Sequence, residues 1–94
     1  MNNHPQYYKL KSDVVYQPMD DNAIIVSLNS EEIYKLNATG TQIVQLIAEE
    51  KSIQEIIKIL EETYTLEKIN IEKEVLELIQ ELFSAGLIEE ISIQ

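Results

Sequence analysis

The chain has 94 residues, 45% of them hydrophobic, and a formal net charge of −10, which together predict one small folded domain. It has no apolar run near the ~18 residues of a membrane span and no signal-peptide pattern at its N-terminus, which predicts a cytoplasmic protein that does not enter a membrane. It has neither cysteine nor arginine, which excludes disulfides, thiolate metal sites and arginine readout of DNA, and its acidic field disfavours nucleic acid as a partner.

The N-terminal part of the sequence predicts a flexible arm followed by three strands. Residues 1–12 are the expected arm. Strand-forming residues then occupy 14–19, 23–28 and 32–36, with turn signals between them. Because parallel strands need long crossover connections, turns this short join only antiparallel strands. The three strands are therefore predicted to form an antiparallel meander.

After residue 36 the apolar pattern takes the period of α-helices. Two capping-box pairs open the first two predicted helices: Thr39 with Gln42, and Ser52 with Glu55. A connector at 63–68 leads to a third and longest helix, with Asn70 as its N-cap and Gly86 as its left-handed C-terminal residue. Residues 87–93 could add a strand. The predicted fold class is α+β, with a three-stranded antiparallel sheet packed on a three-helix, winged helix-turn-helix-like bundle over residues 13–94.

The third helix has an apolar arc of about 160°, wider than the ~100° that covers one layer. Its first stripe consists of Ile71, Val75, Leu78 and Leu82; beside it lie Leu76, Ile79 and Phe83, with Glu72 in line. The extra width fits either a second core contact or a groove floor for another chain. The remaining face carries Lys73, Glu74, Glu77, Gln80, Glu81 and Ser84. Three carboxylates on that face argue against its entering a DNA groove.

The sequence predicts no catalytic, metal or cofactor site. His4 is its single histidine and lies in the expected arm, so a Ser/His/Asp triad is not supported. Acidic pairs such as Asp20–Asp21 and Glu61–Glu62 lie at turns and helix ends, where carboxylates are usually solvated. With two glycines in the whole chain, no phosphate-binding loop is present.

Three segments carry a resemblance to a known family. They are Tyr34-Lys35-Leu36-Asn37-Ala38-Thr39-Gly40, then Ser52-Ile53-Gln54-Glu55-Ile56, and finally Leu82-Phe83-Ser84-Ala85-Gly86-Leu87-Ile88. Their order over residues 13–90 resembles the PqqD family, also called RiPP recognition elements, where RiPPs are ribosomally synthesised and post-translationally modified peptides. The chain departs from the family at Val44, where many members have a tryptophan.

The resemblance implies a non-catalytic adaptor that binds the leader region of a precursor peptide as an added β-strand. It also implies delivery to a modifying enzyme, such as a radical-SAM protein or a leader peptidase with a cyclase. Carried over by position, the peptide-binding residues are Glu32, Ile33, Tyr34, Lys35 and Leu36 on the third strand, and Glu72, Lys73, Leu76, Ile79 and Phe83 on the third helix. Lys35 and Lys73 would meet acidic leader residues.

Two other functions are compatible with the residues. One is a winged-helix transcription regulator. The other is an assembly module for a folded partner, in which residues 87–93 pair with a second copy to form a homodimer.

Overall fold

The computed structural model describes residues 6–64 and 70–91. The expectations for His4, for connector residues 65–68 and for residues 92 and 93 lie outside the described residues. The elements in chain order are β1 (Tyr7–Leu10), β2 (Val14–Met19), β3 (Asn22–Ser27), β4 (Ile33–Leu36), α1 (Ala38–Ala48), α2 (Ile53–Thr63), α3 (Ile71–Ser84) and β5 (Ile88–Ile91). The α+β architecture predicted from the sequence is confirmed.

Strands β2, β3 and β4 form the predicted antiparallel meander, with β3 in the centre. Along β3 the side chains of Ala23, Ile25 and Ser27 are buried, as the period of two in a half-buried strand requires. The register places Tyr34 opposite Ile25 and Leu36 opposite Ala23, so these two β4 side chains also point toward the helices. The sheet thus has one face in the core and one face in solvent.

The first helix begins earlier than predicted. The backbone of Asn37 is extended, and its side-chain oxygen accepts the N–H of Gly40 at 2.7 Å. Asn37 is therefore the N-cap, and the assignment of Thr39 as the capping residue is wrong. An asparagine side chain reaches the backbone N–H three residues ahead as readily as threonine does, and Asn37 follows β4 directly.

The caps of the other two helices are those predicted. Ser52 Oγ accepts the Glu55 N–H at 3.1 Å, and the Glu55 carboxylate accepts the Ser52 N–H at 2.9 Å, which completes a capping box. Asn70 accepts the Lys73 N–H at 3.0 Å. Gly86 follows α3 with a φ of +77°, the left-handed conformation that glycine adopts without strain.

Residues 7–10 are not part of a loose arm. They form β1, which pairs antiparallel with β5 and aligns Tyr7 with Ile91 and Leu10 with Ile88. Tyr8 and Leu10 pack against the core, and this apolar contact is what holds the segment. Strand β5 was anticipated at residues 87–93, but its partner in the described structure is β1 of the same chain. Pairing with a second copy remains an untested prediction.

The wide apolar arc of α3 is partly used by the core and partly exposed. Ile71, Val75, Ile79 and Leu82 are all buried, so part of the second stripe also serves the core. Leu76 and Phe83 remain 46% and 50% exposed.

Within the described ranges, no helix is long and apolar enough to cross a bilayer, and no group of three or more acidic or histidine side chains is placed to hold a metal ion.

Candidate functional site: a groove between β4 and α3

Strand β4 lies at the border of the three-stranded sheet. The Ser27 N–H donates to the Glu32 carbonyl at 2.9 Å, which marks these residues as a hydrogen-bonded pair. In an antiparallel ladder such pairs alternate with non-bonded ones, so Tyr34 and Leu36 bond to β3. The backbone N–H and C=O groups of Ile33 and Lys35 therefore point away from β3, and no described strand pairs with them.

A cavity of about 230 Å³ lies beside this border, between β4, the start of α1 and one flank of α3. Its floor is apolar and is formed by Leu36, Ile43 and Leu78. The flank of α3 adds Glu74, Glu77 and Glu81 to its wall. A chain added alongside β4 would place every second side chain into this cavity, because side chains alternate between the two faces of a sheet. We call this space the β4–α3 groove.

The Asn37–Gly40 turn sets the width of the groove. A Cβ atom placed on Gly40 would lie 3.2 Å from Asn37 Oδ1, 3.4 Å from Leu36 Cδ2 and 3.5 Å from Leu78 Cδ2. The absence of a side chain at Gly40 thus lets the N-terminus of α1 approach both β4 and α3. The Asn-x-Thr-Gly segment is therefore structural at this point, since it caps α1 and brings the walls of the groove together.

A hydrogen bond links the two walls directly. The Tyr34 hydroxyl donates to the Glu81 carboxylate at 3.0 Å. Burial raises the pKa of the Tyr34 hydroxyl, and the hydrogen bond and negative charge of Glu81 raise it further. The phenol consequently remains a proton donor throughout the neutral pH range, and it fixes the position of β4 against α3.

The strand residues expected to bind peptide lie together on β4. Tyr34, Lys35 and Leu36 line the groove, and Ile33, 61% exposed, lies on the same strand. Glu32 directly precedes β4, and its carbonyl is bonded to Ser27. The strand begins one residue later than expected, and contact of these residues with a peptide stays an untested prediction.

The expected helix residues lie elsewhere on α3. Glu72, Lys73 and Leu76 line a second, more open concavity on the outer surface of the helix. Ile79 is 6% exposed and belongs to the core. The Phe83 ring stacks edge-on against Tyr8, with 6.3 Å between the ring centroids. None of these five side chains lines the β4–α3 groove, and their contact with a peptide remains an untested prediction.

Sequence reasoning missed four side chains that form the α3 wall: Glu74, Glu77, Leu78 and Glu81. At ~100° per residue these positions share one flank of the helix, next to the buried stripe and opposite Leu76 and Phe83. Leu78 had been assigned to the core stripe, and the three glutamates to a solvent face. The helical wheel groups them correctly but does not indicate which flank lies beside β4.

The groove is negatively charged. Its helical wall carries three carboxylates. Lys35 also lines the groove, but its side chain points to the outer face of the sheet because its neighbours Tyr34 and Leu36 point inward. In residues 6–64 and 70–91 the one ion pair joins Lys9 and Glu89 at 3.7 Å, on the β1–β5 ribbon. The expectation that Lys35 and Lys73 meet acidic leader residues stays an untested prediction.

The sequence profile of the family described as Coenzyme PQQ synthesis protein D (PqqD) matches residues 22–88. The chain belongs to the PqqD family. The matched region contains β3, β4, all three helices and the first residue of β5, and so includes every element of the β4–α3 groove. No curated protein matches the sequence.

Two solved structures share the fold of this PqqD-family chain. One is described as "TbiB1 in Complex with the TbiA(beta) Leader Peptide"; it is 24% identical, has a TM-score of 0.80, and the match covers 90% of this chain and 99% of that one. The other is described as "Lasso peptide synthetase B1 complexed with the leader peptide"; it is 22% identical, has a TM-score of 0.77, and the match covers 87% and 96%. At these identities the likeness establishes the fold.

Proposed function

We propose that this protein binds the leader segment of a ribosomally made precursor peptide as an extra strand on β4. The observation that carries the proposal is the open border at Ile33 and Lys35, whose backbone groups face away from β3 beside an apolar-floored cavity. An extended peptide completes such a border by main-chain hydrogen bonds and places alternate side chains in the cavity. Both structural neighbours are described as complexes with a leader peptide, which supports a leader peptide as the ligand.

The protein acts as an adaptor rather than as an enzyme. Its groove has carboxylates, a tyrosine hydroxyl and an asparagine already used as a helix cap, and this set lacks an activated nucleophile. We propose that it presents the bound precursor to a separate modifying enzyme, such as a radical-SAM protein or a leader peptidase with a cyclase. The PqqD-like domain of residues 13–94, with β1 attached through β5, is the proposed binding unit.

The same groove argues against the transcription-regulator alternative. The exposed face of α3 and its groove flank together carry Glu72, Glu74, Glu77 and Glu81. Insertion of these carboxylates between DNA phosphates would be repulsive. No arginine is available to offset them.

The test uses the leader segment of a precursor encoded beside the gene of this chain. Amide hydrogen exchange of the protein is followed by NMR with and without that peptide. We expect the Ile33 and Lys35 amides to become protected, because they gain carbonyl partners, while Tyr34 and Leu36 are protected in both states. Tight binding without new protection at Ile33 and Lys35 would show that the peptide binds elsewhere.

A further inference from the structure

We infer that the β4–α3 groove selects a basic peptide segment, with lysine or arginine at alternate positions facing α3. This inference rests on the proposed function and specifies the chemistry of its ligand. The occupant is an extended peptide whose outward-facing positions are unrestricted, since their side chains lie over the solvent face of the sheet. Its inward-facing positions combine an aliphatic stem with a cationic end.

The first argument is the shape of the groove. The apolar floor lies at Leu36, Ile43 and Leu78, whereas the carboxylates of Glu74 and Glu77 lie on the wall above it. A lysine or arginine side chain has the same order, with a methylene stem followed by a charged head. A short apolar side chain would occupy the floor and leave the wall unused, and an acidic side chain would be repelled by it.

The second argument is the spacing of the carboxylates along α3. Glu74 and Glu77 are three residues apart, and Glu77 and Glu81 are four apart, so both pairs are neighbours on the helix surface. Like charges at these spacings destabilise a helix. The helix dipole offsets this for Glu74, which lies in the first turn, but not for Glu77 and Glu81. Glu81 is held by the Tyr34 hydroxyl. Glu77 has Lys73 four residues before it, in the neighbouring concavity, but the two form no ion pair in the described structure, so a cationic guest would still relieve the repulsion at Glu77.

The third argument is that no ion pair within residues 6–64 and 70–91 involves the carboxylates of the wall. The described ion pair, Lys9–Glu89, lies on the β1–β5 ribbon. Lys35 lines the groove but extends its side chain over the outer face of the sheet. Lys73 lines the neighbouring concavity together with Glu77 and Glu81, without forming an ion pair with either in the described structure. The net charge of −10 on the whole chain adds a long-range field of the same sign, which increases the rate at which a basic peptide reaches the groove.

The experiment selects binders from a display library of randomised short peptides. The parent protein is compared with the double variant Glu74→Gln/Glu77→Gln, which keeps side-chain size and removes two charges. A matched control, Glu61→Gln/Glu62→Gln, makes the same charge change on α2, away from the groove. Glu81 is left unchanged because it holds Tyr34.

We expect peptides selected on the parent and on the control to carry lysine or arginine at positions two apart. Selection on the groove variant should lose this enrichment but keep apolar residues. A basic peptide from the parent selection should bind the groove variant about 2- to 20-fold more weakly, as two solvent-exposed ion pairs predict, and the difference should shrink at high salt.

Two outcomes separate this inference from the proposed function. If selected peptides bind Lys35→Pro, which removes a free border N–H, as well as they bind the parent, the added-strand function itself fails. If the selected peptides bind Lys35→Pro more weakly than the parent but contain no more lysine or arginine than the unselected library, the added-strand function is supported and the preference for basic peptides is overturned. Equal loss of affinity in the groove variant and in the α2 control would also overturn it, because only the overall charge would then matter.

Discussion

Substitution Lys35→Pro tests the border of β4 directly. Proline removes one backbone N–H, and the alternation of the ladder assigns the Lys35 N–H to the side facing away from β3. The β3–β4 hydrogen bonds at Tyr34 and Leu36 remain. Because proline is tolerated on border strands where its nitrogen faces solvent, the domain should stay folded while the added strand loses a donor.

The magnitude follows from the number of free groups. Ile33 and Lys35 together offer two N–H donors and two C=O acceptors to a guest. At about 1 kcal/mol each, these bonds supply about 4 kcal/mol, roughly half of the 8 kcal/mol of a micromolar complex. Loss of one donor, with the guest carbonyl left unsatisfied, should weaken binding by about 1–3 kcal/mol, which corresponds to about 5- to 150-fold.

The assay is a fluorescence-anisotropy titration of a labelled leader peptide, with thermal unfolding measured on the same samples. Lys35→Ala is the matched control, because it removes the same charge and keeps the N–H. We expect Lys35→Ala to bind within a few-fold of the parent. If Lys35→Pro and Lys35→Ala bind equally well and unfold at the same temperature, the peptide does not use this border and the reasoning is refuted.

Four further substitutions test other parts of the structure. Leu78→Ala should weaken leader binding by about 1 kcal/mol through lost apolar contact in the groove, and Phe83→Ala should weaken it less. If peptide titrations show a larger loss for Phe83→Ala, the binding site lies on the outer side of α3 instead. Ser52→Ala should lower the free energy of unfolding by about 1 kcal/mol through loss of the α2 cap, as urea titration would show; an unchanged midpoint would contradict this. The hydrogen bond from the Ser52 backbone N–H lowers the pKa of the Glu55 carboxyl below its usual 4.5. The stability that this bond contributes is therefore present above about pH 4.5 and is lost as the pH falls through the folded-state pKa. Glu55→Gln should flatten the dependence of unfolding free energy on pH in that acidic range, and an unaltered profile would exclude the hydrogen bond. Gly86→Ala has free space for its Cβ but a φ of +77°, so calorimetry should show a loss of about 1–2 kcal/mol from backbone strain alone.

The parts of the fold that depend on local signals could be predicted from the sequence. The capping box at Ser52 and Glu55, the cap at Asn70 and the left-handed Gly86 are each specified within a few residues. The same applies to the three-stranded meander, because turns this short allow only antiparallel pairing of consecutive strands. Even the cap of α1 was missed by only two residues, because Asn37 and Thr39 both carry a suitable oxygen.

Features that depend on contacts between distant residues could not be predicted in this way. Strand β1 has only four residues, and its partner β5 lies at the other end of the chain. Nothing within Tyr7–Leu10 specifies that pairing, which follows from the packing of Tyr8 and Leu10 on a core built by other elements. A weakly patterned segment of this kind is assigned as a strand only once its partner is known.

The difference between the expected helix residues and those that line the β4–α3 groove has a more specific cause. The expected helix residues are carried over by position from the family resemblance and lie on the outer side of α3 or in its core; their contact with a peptide stays a prediction. The structure places the buried stripe of Ile71, Val75 and Leu82 between two flanks. One flank, with Phe83, lies next to β1, and the other, with Glu77 and Leu78, lies next to β4. A helical wheel gives the order of these faces around α3 but does not show which strand each face contacts.

This arrangement separates the stability of α3 from its selectivity. The residues that hold the helix in the core are buried, whereas Glu74 and Glu77 on the groove wall are exposed and make no described contact that the fold requires. Substitutions on that wall should therefore change which peptide is accepted while leaving the free energy of unfolding within about 0.5 kcal/mol of the parent, as is usual for surface positions. The backbone border of β4 would continue to bind any extended peptide, so about half of the binding free energy would come from β4 whatever the peptide sequence, and discrimination would come mainly from the carboxylates of α3.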